Sequence, residues 1–308
     1  MGNSKERQNA IKRLKVFHFQ PKSEVSYYRE KVDEEFSEVF LPNRVEKEEI
    51  VIGSIPCDIL TPEMYAKNRL MMYVHGGSFI GGSRKSHRAF ASSLSNAFSC
   101  KTVLPEFRLP PAHQFPCAVN DIQDVFKKIV DHFSEEINEG EKTDFILAAD
   151  TSGASIALGF FLSLKPQFRK LFSRIVLFSP WLDLSEQSNA LKSRRKSDEV
   201  FVASGILASV EMYAPPEKRL EYAISPILAQ KEQLESFPPV YIQMGEKELF
   251  MDEAEKFEAL CADAHIPCTL DIWKGMMPLF QMADEFLSES HLAVEKIGAV
   301  VKTRKEIE

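Results

Sequence analysis

An apolar run ends in His75-Gly76-Gly77-Ser78 and continues as Phe79-Ile80-Gly81-Gly82-Ser83. Glycines let the backbone turn sharply and leave N–H groups pointing into a cavity. Two such donors can hold a developing oxyanion, which is the largest single term in acyl transfer. A tight turn needed only by the fold would use the same glycines. The phosphate-loop pattern GxxxxGK[ST] is absent. Farther along, a strand-like run meets a helix-like run through Ala149-Asp150-Thr151-Ser152-Gly153-Ala154. That turn carries two hydroxyls, Thr151 and Ser152. A hydroxyl attacks a carbonyl only when a base takes its proton, and histidine is the usual base. The seven histidines are His18, His75, His87, His113, His132, His265 and His291. Only His87, just past the glycine loop, is expected near the cavity.

The ordered motifs resemble the hormone-sensitive-lipase-like family of α/β-hydrolases, which are carboxylesterases and lipases. HGGSFIGGS is similar to the family's HGGG-type loop, with Ser78 at the last position of HGGG. The stretch 107–116, FRLPPAHQFP, is similar to the family's YRLAPEHPFP. FSPWLDL at 178–184 is similar to its SPWxDL, and Ser225-Pro226 and Pro238-Pro239 fall on further family positions. The resemblance runs from about residue 45 onward. It implies an oxyanion hole from the backbone of Gly76, Gly77 and Ser152, and a nucleophile elbow at 149–154 where the family usually has GDSAGG. Thr151 then stands at the nucleophile position. Threonine keeps a hydroxyl but stiffens χ1 and tolerates strained backbone badly. The family's histidine lies in a G-M-x-H-x-F segment, and here Gly275-Met276-Met277-Pro278-Leu279-Phe280 places Pro278 on it. Proline cannot accept a proton, but it suits the first turn of a helix. Glu248 matches the acid position. His75, Ser78, Asp150 and His87 are the remaining pocket candidates. The resemblance thus implies a triad lacking both serine and histidine.

Elements of matching length surround these sites. Strand-length apolar runs are expected at 48–53, 56–60, 70–75, 102–106, 144–149, 175–179, 240–245 and 269–273. Helix-length segments are expected at 86–98, 119–134, 152–164, 251–264 and 278–300. Such alternation predicts an α/β class fold, a mostly parallel sheet with helices on both faces; the resemblance implies that it is of the α/β-hydrolase type with a helical cap. Ligands of such sheets bind beyond the carboxyl ends of the strands, where every candidate falls. Residues 1–45 read as an N-terminal helical cap segment. Residues 46–308 read as the hydrolase domain, with a mostly helical insertion at about 185–228 that serves as a lid.

The 308 residues are 44% hydrophobic and 27% charged, with a net charge of −7, which excludes disorder and argues against a nucleic-acid partner. No apolar run reaches the roughly 18 residues of a membrane span. The first residues, MGNSKERQNAIKRLK, hold no apolar signal core, and Glu6 stands where a myristoylation signal needs Ser or Thr. A cytoplasmic location is expected. The five cysteines have no metal or CxxC spacing and read as thiols of a reducing compartment. No metal or organic cofactor is called for. A homodimer stays open. Three functions compete: a carboxylic-ester hydrolase acting on a small acyl ester, a weakly active or inactive relative that binds an acyl ester or carboxylate, and a non-catalytic receptor-like or protein-interaction module on the same scaffold.

Overall fold

The expected strands all form, the inner ones as apolar runs that lose both faces to a core and the two edge strands with much of their length exposed. A computed structural model describes residues 4–37, 44–136, 143–192, 198–284 and 286–303. The strands are β1 (Val45–Ile52), β2 (Ile55–Pro62), β3 (Arg69–Val74), β4 (Lys101–Pro105), β5 (Asp144–Asp150), β6 (Phe172–Phe178), β7 (Val240–Gly245) and β8 (Cys268–Trp273). They make one eight-stranded sheet in the order β1-β2-β4-β3-β5-β6-β7-β8. β1 and β2 pair antiparallel, as do β2 and β4; from β4 to β8 the pairing is parallel. All residues of β5 are buried, as a central parallel strand requires.

The described helices are α1 (Ser4–Leu14), α2 (Val25–Ser37), α3 (Arg84–Phe98), α4 (Cys117–Glu136), α5 (Thr151–Ser163), α6 (Pro166–Arg169), α7 (Asn189–Lys192), α8 (Ala203–Tyr213), α9 (Met251–Asp263) and α10 (Ser288–Lys302). The chain passes from β3 through α3 toward one sheet edge, then from β4 through α4 back to β5 and onward to β8. Right-handed crossovers in opposite directions place α3 and α4 on opposite faces. α10 packs on α3, and α4 packs on α5. The reversal of direction puts a switch point between the carboxyl ends of β3 and β5, where open α/β sheets form their ligand crevice. Those ends carry the glycine loop and the Asp150-Thr151 turn.

Helix α3 starts from a reciprocal cap. Ser83 Oγ accepts from the N–H groups of Lys85 and Ser86, and Ser86 Oγ accepts from Ser83 N–H at 2.9 Å. Such caps contribute about 1 kcal/mol. The cap fixes the helix phase, so His87, Phe90, Ala91, Leu94 and Phe98 share the buried stripe.

One expected helix differs. The segment 278–300 was expected to be helical from Pro278, but α10 starts at Ser288. Leu279 adopts φ 59°, and its N–H donates to Ser179 Oγ at 3.0 Å rather than to a helical carbonyl. A left-handed non-glycine residue stops helix propagation, and only a short 3₁₀ turn, Phe280–Met282, precedes α10.

The N-terminal helices lie over the glycine loop. Phe17 carbonyl oxygen accepts from Tyr28 Oη (2.9 Å) and from Ser78 Oγ (3.1 Å), and Arg29 Nε donates to the carbonyl of Ile80 at 2.7 Å. In α8, Gly205 fits because a Cβ there would lie 2.0 Å from the carbonyl oxygen of Phe19. The 185–228 segment is less helical than expected among its described residues: α7, α8 and short 3₁₀ turns at Pro216–Lys218 and Pro226–Leu228. Part of it, 193–197, lies outside the described residues.

Candidate active site

The turn after β5 places Thr151 in the left-handed region, φ 40°. A β-branched residue there costs roughly 1–3 kcal/mol, so its neighbours must impose the conformation. Trp181 N–H donates to Thr151 carbonyl oxygen at 3.1 Å, and the Thr151 hydroxyl donates to Asp150 Oδ2 at 3.0 Å. Gly76 crosses directly above, where a Cβ would sit 2.0 Å from Thr151 Oγ1. The Ser152 hydroxyl points away from this junction and accepts from Phe79 N–H at 2.9 Å, which ties the elbow to the glycine loop.

Asp150 is the hub. Its Oδ1 accepts from Tyr73 Oη at 2.7 Å and from Gly76 N–H at 2.9 Å. His87 Nε2 lies 3.5 Å from the same oxygen, a close electrostatic contact. Burial works to raise the Asp150 carboxyl, but the neighbouring His87 ring and the donors Tyr73 and Gly76 outweigh it and hold the group below its ordinary range. His87 stacks on His75, ring centroids 5.1 Å apart, and His75 stacks on Phe107 at 4.2 Å. Burial first, and then His87, push the His75 imidazole down to about 3. His75 is therefore neutral, and its Nδ1 donates to Gly76 carbonyl oxygen at 2.8 Å.

The Gly76 N–H, one of the expected oxyanion donors, donates to Asp150 Oδ1 in this structure. Gly77 (φ 120°), Ser78 (φ 54°) and Phe79 (φ 63°) complete the loop, closed by Gly81 N–H donating to Gly77 carbonyl oxygen at 2.9 Å. Ser78 directs its hydroxyl to Phe17, as above, and not to the elbow.

At the acid position, Glu248 Oε1 accepts from Gly245 N–H and from Ser179 Oγ (2.9 Å). Ser179 Oγ in turn accepts from Leu279 N–H. The serine hydroxyl thus links the acid to the residue after Pro278. Glu248 Oε2 is buried and has no partner among the described residues. Burial first, with Asp198 adding, pushes this carboxyl well above its ordinary range. Asp198 accepts from the N–H groups of Val200, Phe201 and Leu249, each at 2.8 Å, and burial raises it to about 6.

Pro278 is buried in its turn. Asp150 is the hydrogen-bond partner found for the Thr151 hydroxyl among the described residues, and no histidine ring nitrogen bonds to it. His87 reaches Asp150 but shows no bond to Thr151. His291 is exposed on α10, paired with Asp284 at 3.8 Å and Glu295 at 3.2 Å. Among the described residues no group of three His, Cys, Asp or Glu side chains could hold a metal ion, and no helix is long and apolar enough to cross a membrane.

Sequence reasoning missed three contributors: Tyr73, Ser179 and the Phe17 carbonyl. Tyr73 lies near the carboxyl end of β3, inside an apolar run that gives no sign of a role. Ser179 lay inside the matched FSPWLDL stretch, and its φ of 45° is the kind of strain that marks sites. The elbow is covered by rings, with Phe79 stacked on Tyr213 at 4.2 Å and tilted on Trp181 at 4.9 Å. Thr151 is 3% exposed and Glu248 1%. A cleft of about 800 Å³ opens elsewhere, between α3 and α10, with Phe90, Gln281, Met282 and Val294 in its wall.

The sequence model of a family described as having the alpha/beta hydrolase fold matches residues 71–282. An esterase of Acinetobacter venetianus is 27% identical over 231 residues, 75% of this chain and 73% of that one. An acetyl-hydrolase of Streptomyces hygroscopicus is 28% identical over 235 residues, 76% of each. A crystal structure of an esterase from the bacterial hormone-sensitive lipase (HSL) family covers 98% of both chains, with a TM-score of 0.86 at 20% identity. That last likeness is one of fold.

Proposed function

The chain belongs to the α/β-hydrolase fold family, and from that premise we propose that it binds a small acyl ester or carboxylate at the switch point and turns it over very slowly or not at all. One observation carries the reading: the Thr151 hydroxyl donates to Asp150, while among the described residues the acid Glu248 has no imidazole bonded to it. An ionised carboxylate held below its ordinary range is a poor proton acceptor for an alcohol. Losing a triad member costs about 10⁴- to 10⁶-fold in kcat, and an oxyanion hole alone leaves about 10³–10⁴ over water.

In this reading Gly77 and Ser152 supply the backbone donors for a ligand oxygen. Phe79, Trp181 and Tyr213 supply an apolar wall. Tyr213 Oη, buried without a partner among the described residues, supplies a polar handle. The segments 1–45 and 185–228 act as the lid, and a ligand enters when the contacts of Phe17 and Phe19 part. Relatives named esterase and acetyl-hydrolase make the short acyl class the natural probe.

The test is a melting experiment with butyrate and with p-nitrophenyl butyrate, following p-nitrophenol release in the same samples. The reading expects a rise in Tm with either probe and negligible release. Unchanged melting with both, or rapid release, would overturn it.

A further inference from the structure

Helix α9 ends in a left-handed turn that folds the chain back beside its own last turn. His265 has φ 59°, and Ile266 N–H donates to the carbonyl oxygen of Cys261 at 2.8 Å. His265 N–H donates to Ala262 carbonyl oxygen at 3.0 Å. These two bonds make a Schellman motif with Cys261 three residues before the C-cap, Ala264. Pro267 follows, and its carbonyl accepts from Val240 N–H at 2.8 Å, which docks the start of β8 onto β7. Cys268 is the first residue of β8 and pairs with Val240. The chain reversal therefore brings Cys268 to the side of Cys261, whose thiol its neighbour Cys268 and then burial push well above the ordinary range.

The pair is unlike the other cysteines. Cys57 and Cys100 are buried, with thiols pushed up to about 12 by burial, and neither has a cysteine beside it. Cys117 is half-buried on α4. In the pair, Cys261 is fully buried and Cys268 is half-exposed. An oxidant reaches Cys268 first, and the sulfur it meets next is Cys261.

We propose that Cys261 and Cys268 are an oxidation-sensitive thiol pair which a hydroperoxide converts to an intramolecular disulfide. Cys268 thiolate attacks the distal peroxide oxygen, the O–O bond breaks, and the alkoxide takes a proton to leave as alcohol. Cys268 is then a sulfenic acid. The Cys261 sulfur attacks that sulfur, an S–S bond forms, and the hydroxyl leaves as water with the Cys261 proton. Two thiols are oxidised and one hydroperoxide is reduced, giving a disulfide, an alcohol and a water. The bond would join the end of α9 to the start of β8, the strand that leads into the Pro278 turn.

Both cysteines lie on one tryptic peptide, 257–274. The full-length protein is reduced, treated with hydrogen peroxide, alkylated with N-ethylmaleimide after unfolding, digested and weighed. The proposal expects this peptide to be lighter by two hydrogens and unalkylated, and to regain two labels after reduction. Cys268→Ser should leave Cys261 fully labelled under the same treatment. The oxidised parent should also melt roughly 3 °C higher than the reduced one, as a short closed loop gives in a chain of this length. Two labels on the peroxide-treated peptide, or Cys268 carried to the sulfinic acid with Cys261 still labelled, would overturn it.

Discussion

Replacing Glu248 with glutamine should stabilise the protein at neutral and alkaline pH and destabilise it in acid, where only the cost of an unpartnered amide donor remains. The carboxyl is buried, with one oxygen bonded to Gly245 N–H and Ser179 Oγ and the other unpartnered. Burial holds it well above the ordinary carboxylate range, so the folded state keeps a proton that the unfolded chain gives up near pH 4.3. The favourable contribution is therefore complete below that pH and is lost as pH rises through the folded value. By pH 7 the interval above 4.3 sets a ceiling of about 3.7 kcal/mol, at about 1.36 kcal/mol per pH unit. Glutamine keeps the acceptor for Gly245 and Ser179 but brings an amide donor to the unpartnered side, which costs about 1–3 kcal/mol. The net gain is at most about 1–3 kcal/mol, or about 1–4 °C in Tm for a chain of this length. Differential scanning calorimetry of both proteins at about pH 4.5 and about pH 7.5 measures it. A glutamine variant that melts below the parent at the higher pH would refute the reasoning, because it would mean an ionised, well-partnered acid as in a working triad.

Two further outcomes follow from the same geometry. Thr151→Ser with Pro278→His should raise kcat on p-nitrophenyl butyrate by about 10³-fold or more, while each single change gives far less, because triad members act as a unit; equal gains from a single variant in kinetic assays would contradict this. Gly76→Ala should destabilise by more than about 3 kcal/mol in urea unfolding, since its Cβ would fall 2.0 Å from Thr151 Oγ1 and 2.2 Å from Asp150 Oδ2; a neutral effect would mean the elbow is looser than described.

The inner sheet was legible because its strands are apolar runs of fixed length between turn residues, and β5 is buried at every position. The motif positions of Thr151, Glu248 and Pro278 were legible because each follows a recognisable strand. The Asp150 hub was not. Tyr73, Gly76, His87 and Asp150 meet only through the switch point between β3 and β5, and nothing in their sequence spacing marks them as partners. The late start of α10 was hidden for a related reason. Proline suits a helix start, but Ser179, 100 residues away, draws off the Leu279 N–H and holds that residue left-handed. The folding back of Phe17 and Phe19 onto Ser78 and Gly205 likewise depends on tertiary contacts that no local period records.

Steady-state release of p-nitrophenol from p-nitrophenyl butyrate, by the unaltered protein and by Thr151→Ala side by side, bears most directly on whether the Thr151 hydroxyl lacks a proton acceptor. With a median enzyme at about 10 s⁻¹ and a loss of at least about 10⁴-fold, the expected kcat is at most about 10⁻³ s⁻¹, equal in the two proteins. A parent turning over near 10 s⁻¹, with that rate abolished in Thr151→Ala, would contradict the account.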